Sequence, residues 1–175
     1  EWRLYWQGTD TQQDSFEQRR AVPPRTPPLQ IVREFHLEDR SYGLEFTAVR
    51  EVDGGSFDHS LVYGFEAAES TIEELRDGLQ TNLDTGASSP TILGETTPLR
   101  DFPITDLTEV GVFLQDEIGA DGGAWSVIPA LRVDYYRLDA KIDGIYRAAN
   151  PTVPVVGLDE VSLAPKLGAT YQFCT

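Results

Sequence analysis

Leu83-Asp84-Thr85-Gly86-Ala87-Ser88-Ser89 places a carboxylate in an Asp-Thr-Gly turn, the setting in which aspartic proteases hold their catalytic acid. In that chemistry two carboxylates share one proton, because like charges so close cannot both ionise. The surroundings here argue against it. Polar Gln80-Thr81-Asn82 stand where an apolar strand should enter the turn, and the apolar-apolar-Gly stretch Ile92-Leu93-Gly94 follows with no room for the intervening β-structure. A three-residue motif without its context is a weak signal, so Asp84 reads as a loop residue.

The remaining candidates are thinner. His36 and His59 each stand alone, with no second ligand at i+4 and no Cys/His cluster, so neither spacing describes a metal or haem site. Glu73-Glu74 and Asp159-Glu160 are adjacent carboxylates in an acidic chain and read as solvated loop ends rather than a glycosidase pair. Tyr135-Tyr136 offers a phenolate, though an interfacial aromatic belt accounts for it more simply. No catalytic, cofactor-binding or metal-binding residue is assigned, no cofactor is implied, and an enzyme is not expected.

The elements that would position these residues are strands. From Trp125 to Leu138, Trp125, Val127, Pro129, Leu131, Val133 and Tyr135 fall on one face and Ser126, Arg132 and Asp134 on the other, a period of two. Val161 to Phe173 repeats the pattern, with Leu163, Leu167 and Tyr171 opposite Lys166. Phe57 to Ala67 does so again, His59 being the exception on the apolar side. Arg3 to about Gln18, Ile31 to Val52 with a bulge expected near Arg40, and Asp106 to Ile118 complete six strands. Pro129 and Pro165 are unusual inside strands, because proline cannot donate to a ladder.

Connections alternate in length. Val52 to Ser56 and Gly119 to Gly123 are tight glycine turns, whereas Arg19 to Pro28, Asp77 to Ile104 and Ile142 to Leu158 are long. In an up-and-down meander every second connection lies at the same end, so one end is trimmed and the other carries loops, as in outer-membrane barrels. Trp125 and Tyr135 point the same way, and ten tilted residues rise roughly 23 Å, close to the apolar band between two aromatic girdles. Glu45, Glu66, Glu109, Arg132, Asp134 and Lys166 fall on the opposite faces, too many charges for a small dry core.

Composition narrows the partners. A net charge of -15 and a single cysteine, Cys174, leave no basic surface for nucleic acid and no disulfide framework. No segment approaches the roughly 18 apolar residues of a membrane helix, which does not bear on a β-barrel.

Ser126 to Tyr136, SVIPALRVDYY, and Leu163 to Tyr171, LAPKLGATY, resemble consecutive strands of TonB-dependent outer-membrane receptors, in particular the haem/haemoglobin/transferrin group. Leu61 to Glu66 and Glu1 to Asp10 are similar to other pieces of the same barrel, and the family's strands commonly carry proline where Pro129 and Pro165 stand. The resemblance implies a barrel of about 22 strands around a plug. It implies import of haem, a haem protein or an iron chelate, driven by TonB through the plug. It also implies a bacterial outer-membrane location with lipid as a partner. The family's Phe-Arg-Ala-Pro box and histidine ligand would lie beyond Thr175, so no ligand is carried onto a residue of this sequence.

The expected fold is therefore all-β, an up-and-down antiparallel meander in which residues 1–175 form about six strands of a transmembrane β-barrel, the plug lying outside them. Single-chain bacterial barrels begin at about eight strands, so six suggest a piece. Trp2, Leu4 and Trp6 open the chain inside the apolar band, as if mid-strand. Trp125, Val127, Leu131, Val133, Tyr135, Leu163, Leu167 and Tyr171 are expected to face lipid, and Arg132, Asp134 and Lys166 the lumen. The rival is a soluble β-sandwich ligand-binding module, with the same alternation in its strands. An aspartic protease through Asp84 is a distant third.

Overall fold

A computed structural model of the protein describes residues 1–120 and 123–173. Asp121 and Gly122 of the second glycine turn, and Cys174, lie outside the described residues. Six long strands form one antiparallel sheet: β1 (Trp2–Arg19), β2 (Leu29–Asp53), β3 (Phe57–Asn82), β7 (Ile104–Ala120), β8 (Trp125–Lys141) and β9 (Leu158–Tyr171). Their spatial order is their sequence order, β1-β2-β3-β7-β8-β9, so the sheet is an up-and-down meander. Between β3 and β7 lie three two-residue strands, β4 (Ser88–Ser89), β5 (Thr91–Ile92) and β6 (Glu95–Thr96), and a six-residue helix, α1 (Gly144–Ala149), precedes β9.

In the middle of the sheet apolar positions of successive strands stand opposite one another in rows, because side chains alternate with period two and the register is continuous. One row across the sheet reads Trp2, Phe46, Phe65, Val112, Val133, Leu163. The next reads Leu4, Leu44, Ala67, Val110, Tyr135, Val161. Between them, on the other face, runs Arg3, Glu45, Glu66, Gly111, Asp134, Ser162. The sheet thus has an apolar face and a charged face. The apolar face is uncovered: Trp2 is 70% exposed and Leu167 78%.

The charged face would be gapped at Gly64 without help from a neighbour. The Phe113 ring lies over this glycine, so that a Cβ there would come within 2.7 Å of Phe113 Cζ and would also strike the Phe46 carbonyl. Glycine gives up its own side chain and the neighbouring aromatic fills the space.

Two expectations are corrected. No bulge interrupts β2: Gly8, Arg40 and Thr71 stand in one row, and pairing with β1 and β3 is one-to-one along the strand. The long segment from Asp77 to Ile104 is partly strand, since β3 runs on to Asn82. The sandwich alternative also fails. Apart from the large sheet, the described residues form only the two-stranded ladder of β5 and β6, which offers no second layer of comparable size.

Where the buried apolar residues lie is informative. Leu29, Ile31, Ile92, Leu99 and Tyr146 are buried, and all belong to the long-loop end of the sheet. At the opposite end the β2–β3 turn is only a few residues long, with Gly55 at φ 80° and its N–H donating to Asp53 Oδ1. One end is trimmed and the other is built up, as the alternation of connection lengths implies.

Candidate functional site

The built-up end is made by extensions of β1, β2 and β3 beyond the apolar rows, and the 83–103 connection folds back onto their charged face. Asn82 starts the fold. Its side-chain oxygen accepts from the N–H groups of Asp84 and Thr85, and its carbonyl accepts from Gly86 N–H at 2.8 Å. Asp84 is exposed in this turn. LDTG is thus a side-chain-capped turn between β3 and β4, a structural job that Asn, Asp and Gly perform commonly.

Ile92-Leu93-Gly94 makes the next turn. Strands β5 and β6 pair in a short hairpin with Leu93 at φ 52° and Gly94 at φ 102° at its tip. Ile92 lies in the space that a side chain on Gly78 would occupy, its Cδ1 2.7 Å from where that Cβ would be. Thr97 hydroxyl donates to the Gly78 carbonyl at 2.8 Å. Gly78 pairs with Arg33 and shares the face of Ile31, which is fully buried. A glycine at position 78 is what lets the hairpin approach this closely.

Arg100 fixes the base of the connection. Its side chain is 6% exposed and forms ion pairs with Glu73 at 2.6 Å and Asp143 at 2.9 Å. A third donor reaches the Glu74 carbonyl. Asp143 also caps α1, accepting from Tyr146 N–H at 2.7 Å, so one carboxylate joins the helix to the loop. Burial alone would raise the pKa of Asp143, but the Tyr146 N–H and the Arg100 guanidinium outweigh it and hold the carboxyl below the usual range. Burial would likewise lower that of Arg100, and Glu73 and Asp143 reverse it and hold it above the usual value.

Glu74 corrects the reading of a solvated loop end. It is 2% exposed; Oε2 accepts from Asp101 N–H at 2.8 Å, while Oε1 is buried without a partner among the described residues. Loss of water pushes its carboxyl above the ordinary value, and the Asp101 N–H only partly opposes that. The signal missed in the sequence is Arg100, a lone cation in the connection that follows two adjacent glutamates.

Lower on the charged face, Arg132 donates to both oxygens of Glu66 at 3.0 Å and to Asp134 Oδ1 at 2.8 Å. The register puts Lys166 on the same face, opposite Ala130. Trp125, Val127, Leu131, Val133 and Tyr135 share the apolar face with Leu163, Leu167 and Tyr171. Phe57 joins them, its ring centroid 6.0 Å from that of Trp125. Both histidines lie on the apolar-face side: His59 pairs with Asp116 at 2.8 Å, and His36 sits 3.5 Å from Asp10 in the extension. Tyr136 lies on the charged face between Glu109 and Glu160.

Residues 1–174 match the family model for the TonB dependent receptor-like β-barrel. The chain belongs to that family. Its members are transporters of the bacterial outer membrane, and this meander with one apolar and one charged face is consistent with part of such a barrel. A search of curated proteins gave no match.

Proposed function

We propose that this chain is one wall of a TonB-dependent transporter that imports haem or another iron source. The apolar face meets outer-membrane lipid through Trp125, Val127, Leu131, Val133, Tyr135, Leu163, Leu167 and Tyr171, and the charged face with Arg132, Asp134 and Lys166 lines the lumen. The observation that carries the orientation is the contrast between the faces at one register: six apolar side chains in the row of Val133, and Arg3, Glu45, Glu66 and Asp134 in the adjacent row. An uncovered apolar surface of this breadth is costly in water and favourable against acyl chains. The charged row has paired partners and access to water or to the plug.

In this orientation the 83–103 connection hangs over the lumen at the outer mouth, where a ligand arrives before the plug admits it. The choice of iron source rests on the likeness of strands β8 and β9 to haem-group receptors. His36 and His59 do not serve it, because both project from the face opposite the charged one, away from the lumen. The test is growth of a strain stripped of its other iron receptors and supplied with haem or a ferric chelate, with the intact receptor restored. Uptake that needs both the receptor and TonB is expected. Uptake indifferent to TonB, or absent for every iron source, refutes the transporter reading.

A further inference from the structure

Between the β5–β6 hairpin and the extensions of β1 to β3 lies a cavity of about 420 Å³ on the charged face. It is within the size range of small-ligand sites, roughly 300–1,000 Å³. Its walls combine two chemistries: Phe35, Ile92 and Leu93 supply apolar surface, and Arg33 and Arg76 supply guanidinium groups. Of the three acidic residues along the walls, Glu95 stands on the hairpin, while the register turns the side chains of Glu34 and Asp77 to the opposite face of the sheet.

Neither cation is consumed by the fold. Arg33 makes one long hydrogen bond, 3.4 Å to Glu17 Oε2, and that carboxylate is held more closely by Arg19 at 2.6 Å. Most of its five N–H donors therefore have no protein partner among the described residues. Arg76 gives one nitrogen to both oxygens of Asp101, at 3.0 and 3.1 Å, and its other contact, Glu95, is 3.6 Å away on a side chain that is 65% exposed, which leaves its remaining N–H donors toward the cavity without a close partner among the described residues. Each of the two side chains is about one-third exposed, 34%. In a chain of net charge -15, two incompletely paired arginines in one concavity stand against the general field.

The tip of the hairpin is the second observation. Leu93 holds a left-handed backbone, φ 52°, which L residues other than Gly, Asn and Asp seldom adopt, and its side chain is 56% exposed beside the cavity. Neither the turn nor the packing of Ile92 requires a leucine there. The two-residue turn itself sets φ > 0 at Leu93 and Gly94, so what remains to be explained is an exposed apolar side chain at the rim of a cavity, which fits a ligand contact.

We propose that this cavity receives an anionic ligand with an apolar body, the body lying on Phe35, Ile92 and Leu93 and its carboxylates pairing with Arg33 and Arg76. The site rests on the transporter reading above and deepens it by naming the chemistry admitted at the mouth. Haem has that chemistry through its propionates and its apolar ring, whereas a carboxylate-bearing chelate without an apolar body has only half of it. Arginine suits it because its planar fork matches a carboxylate in bidentate geometry.

The test uses the intact receptor in detergent and follows tryptophan quenching with three probes: haem, haem dimethyl ester and ferric citrate. The ester lacks only the free carboxylates, and ferric citrate lacks the apolar body. Haem should bind at least about tenfold more tightly than either, the scale of one charge-assisted pair. Arg33→Gln, which removes a side chain that holds little else in place, should cost haem about tenfold and leave the ester unchanged. Equal binding of haem and its ester, tighter binding of ferric citrate than of haem, or an Arg33→Gln receptor that binds haem as the parent does would each overturn the site. Failure of this proposal is separable from failure of the transporter reading. TonB-dependent growth on haem that is unaffected by Arg33→Gln, with no preference for free carboxylates, removes the site and leaves the transporter.

Discussion

Replacing Arg100 by alanine should unlock the 83–103 connection while leaving the sheet intact. The side chain is 6% exposed and satisfies Glu73, Asp143 and the Glu74 carbonyl together. Breaking one partner out of a buried ion pair costs about 3–5 kcal/mol, because the remaining charge is stranded. Here the carboxylates keep some water, with 40% of the Glu73 side chain and 30% of that of Asp143 exposed, so a value of about 2–3 kcal/mol is reasonable. If the connection opens locally, the opening equilibrium rises about 30- to 150-fold. Hydrogen exchange of the intact receptor reads this directly. Arg76 and Leu99 exchange backbone hydrogen bonds at 2.9 Å in both directions, and Asp101 N–H is held by Glu74, so those amides report the latch. Their exchange should accelerate by that factor, with α1 following because Asp143 loses its partner, while amides of β7 and β8 are unchanged. Arg100→Lys should recover only part of the protection, since an ammonium lacks the fork that reaches three acceptors. Parental protection in Arg100→Ala would refute the latch, and uniform acceleration through β7 and β8 would show that Arg100 supports the whole sheet.

Three further outcomes follow from the same geometry. Gly64→Val drives methyl groups into the Phe113 ring and the Phe46 carbonyl and should destabilise the folded barrel by about 1–3 kcal/mol, read as a lower urea midpoint, whereas unchanged stability would mean that the ring does not depend on the glycine. Leu131→Arg, at an apolar-face position, should cost about 2–4 kcal/mol in a bilayer, whereas Arg132→Ser on the other face should stay within about 1 kcal/mol; similar costs would refute the assignment of faces. Glu74 is raised from 4.5 in the folded state, so its contribution to loop stability is fully present below that value and is lost as pH rises through the folded pKa. Asp143 is lowered and acts oppositely, losing its contribution as pH falls through its folded value, so the protection factor of the Asp101 amide, the intrinsic exchange rate at the same pH divided by the observed rate, should be greatest in mild acid, and Glu74→Gln should abolish the loss of protection on the alkaline side.

The alternation from Trp125 to Tyr135 could be read from the sequence because both faces there have a fixed environment along the whole stretch. The same rule failed above it. Ser70 to Asn82 continues β3 but has no clean period, since one of its faces is covered by the hairpin and the other is not. Glu73-Glu74 read as solvated because nothing local shows that Arg100, a long-range partner, closes over them. The turn at Asn82 was legible as polar loop chemistry, whereas the cavity at Arg33 and Arg76 was not. It exists only because a connection returns to a face built by residues far away in sequence, Ile92 coming to lie beside Phe35 of β2 and Ser15 of β1, which no periodicity records.

The expected bulge at Arg40 shows most clearly how a correct observation led to a wrong structure. Apolar residues of β2 do change phase: Leu29, Ile31, Phe35 and Leu37 are odd-numbered, and Tyr42, Leu44, Phe46 and Ala48 are even-numbered. A bulge would restore all of them to one face. The register instead passes through Arg40 without a slip, so the two sets lie on opposite faces of one regular strand. The lower set belongs to the uncovered apolar face, and the upper set lies under or beside the returning connection, with Leu29 and Ile31 buried. The phase change therefore records a change in which face is dry. In the proposed orientation it falls just above Trp6 and Tyr42, so it marks the height at which the strand leaves lipid and begins to support the mouth. A strand that kept its even-numbered face apolar up to Leu29 would put unneeded apolar surface into water and leave the hairpin nothing to pack on. Spin labels along residues 30 to 48 should thus be oxygen-accessible in bilayers at even positions from 42 downwards, and lose that signal above Arg40. Lipid accessibility that continued unbroken to Gln30 would place the membrane edge elsewhere and undo the orientation.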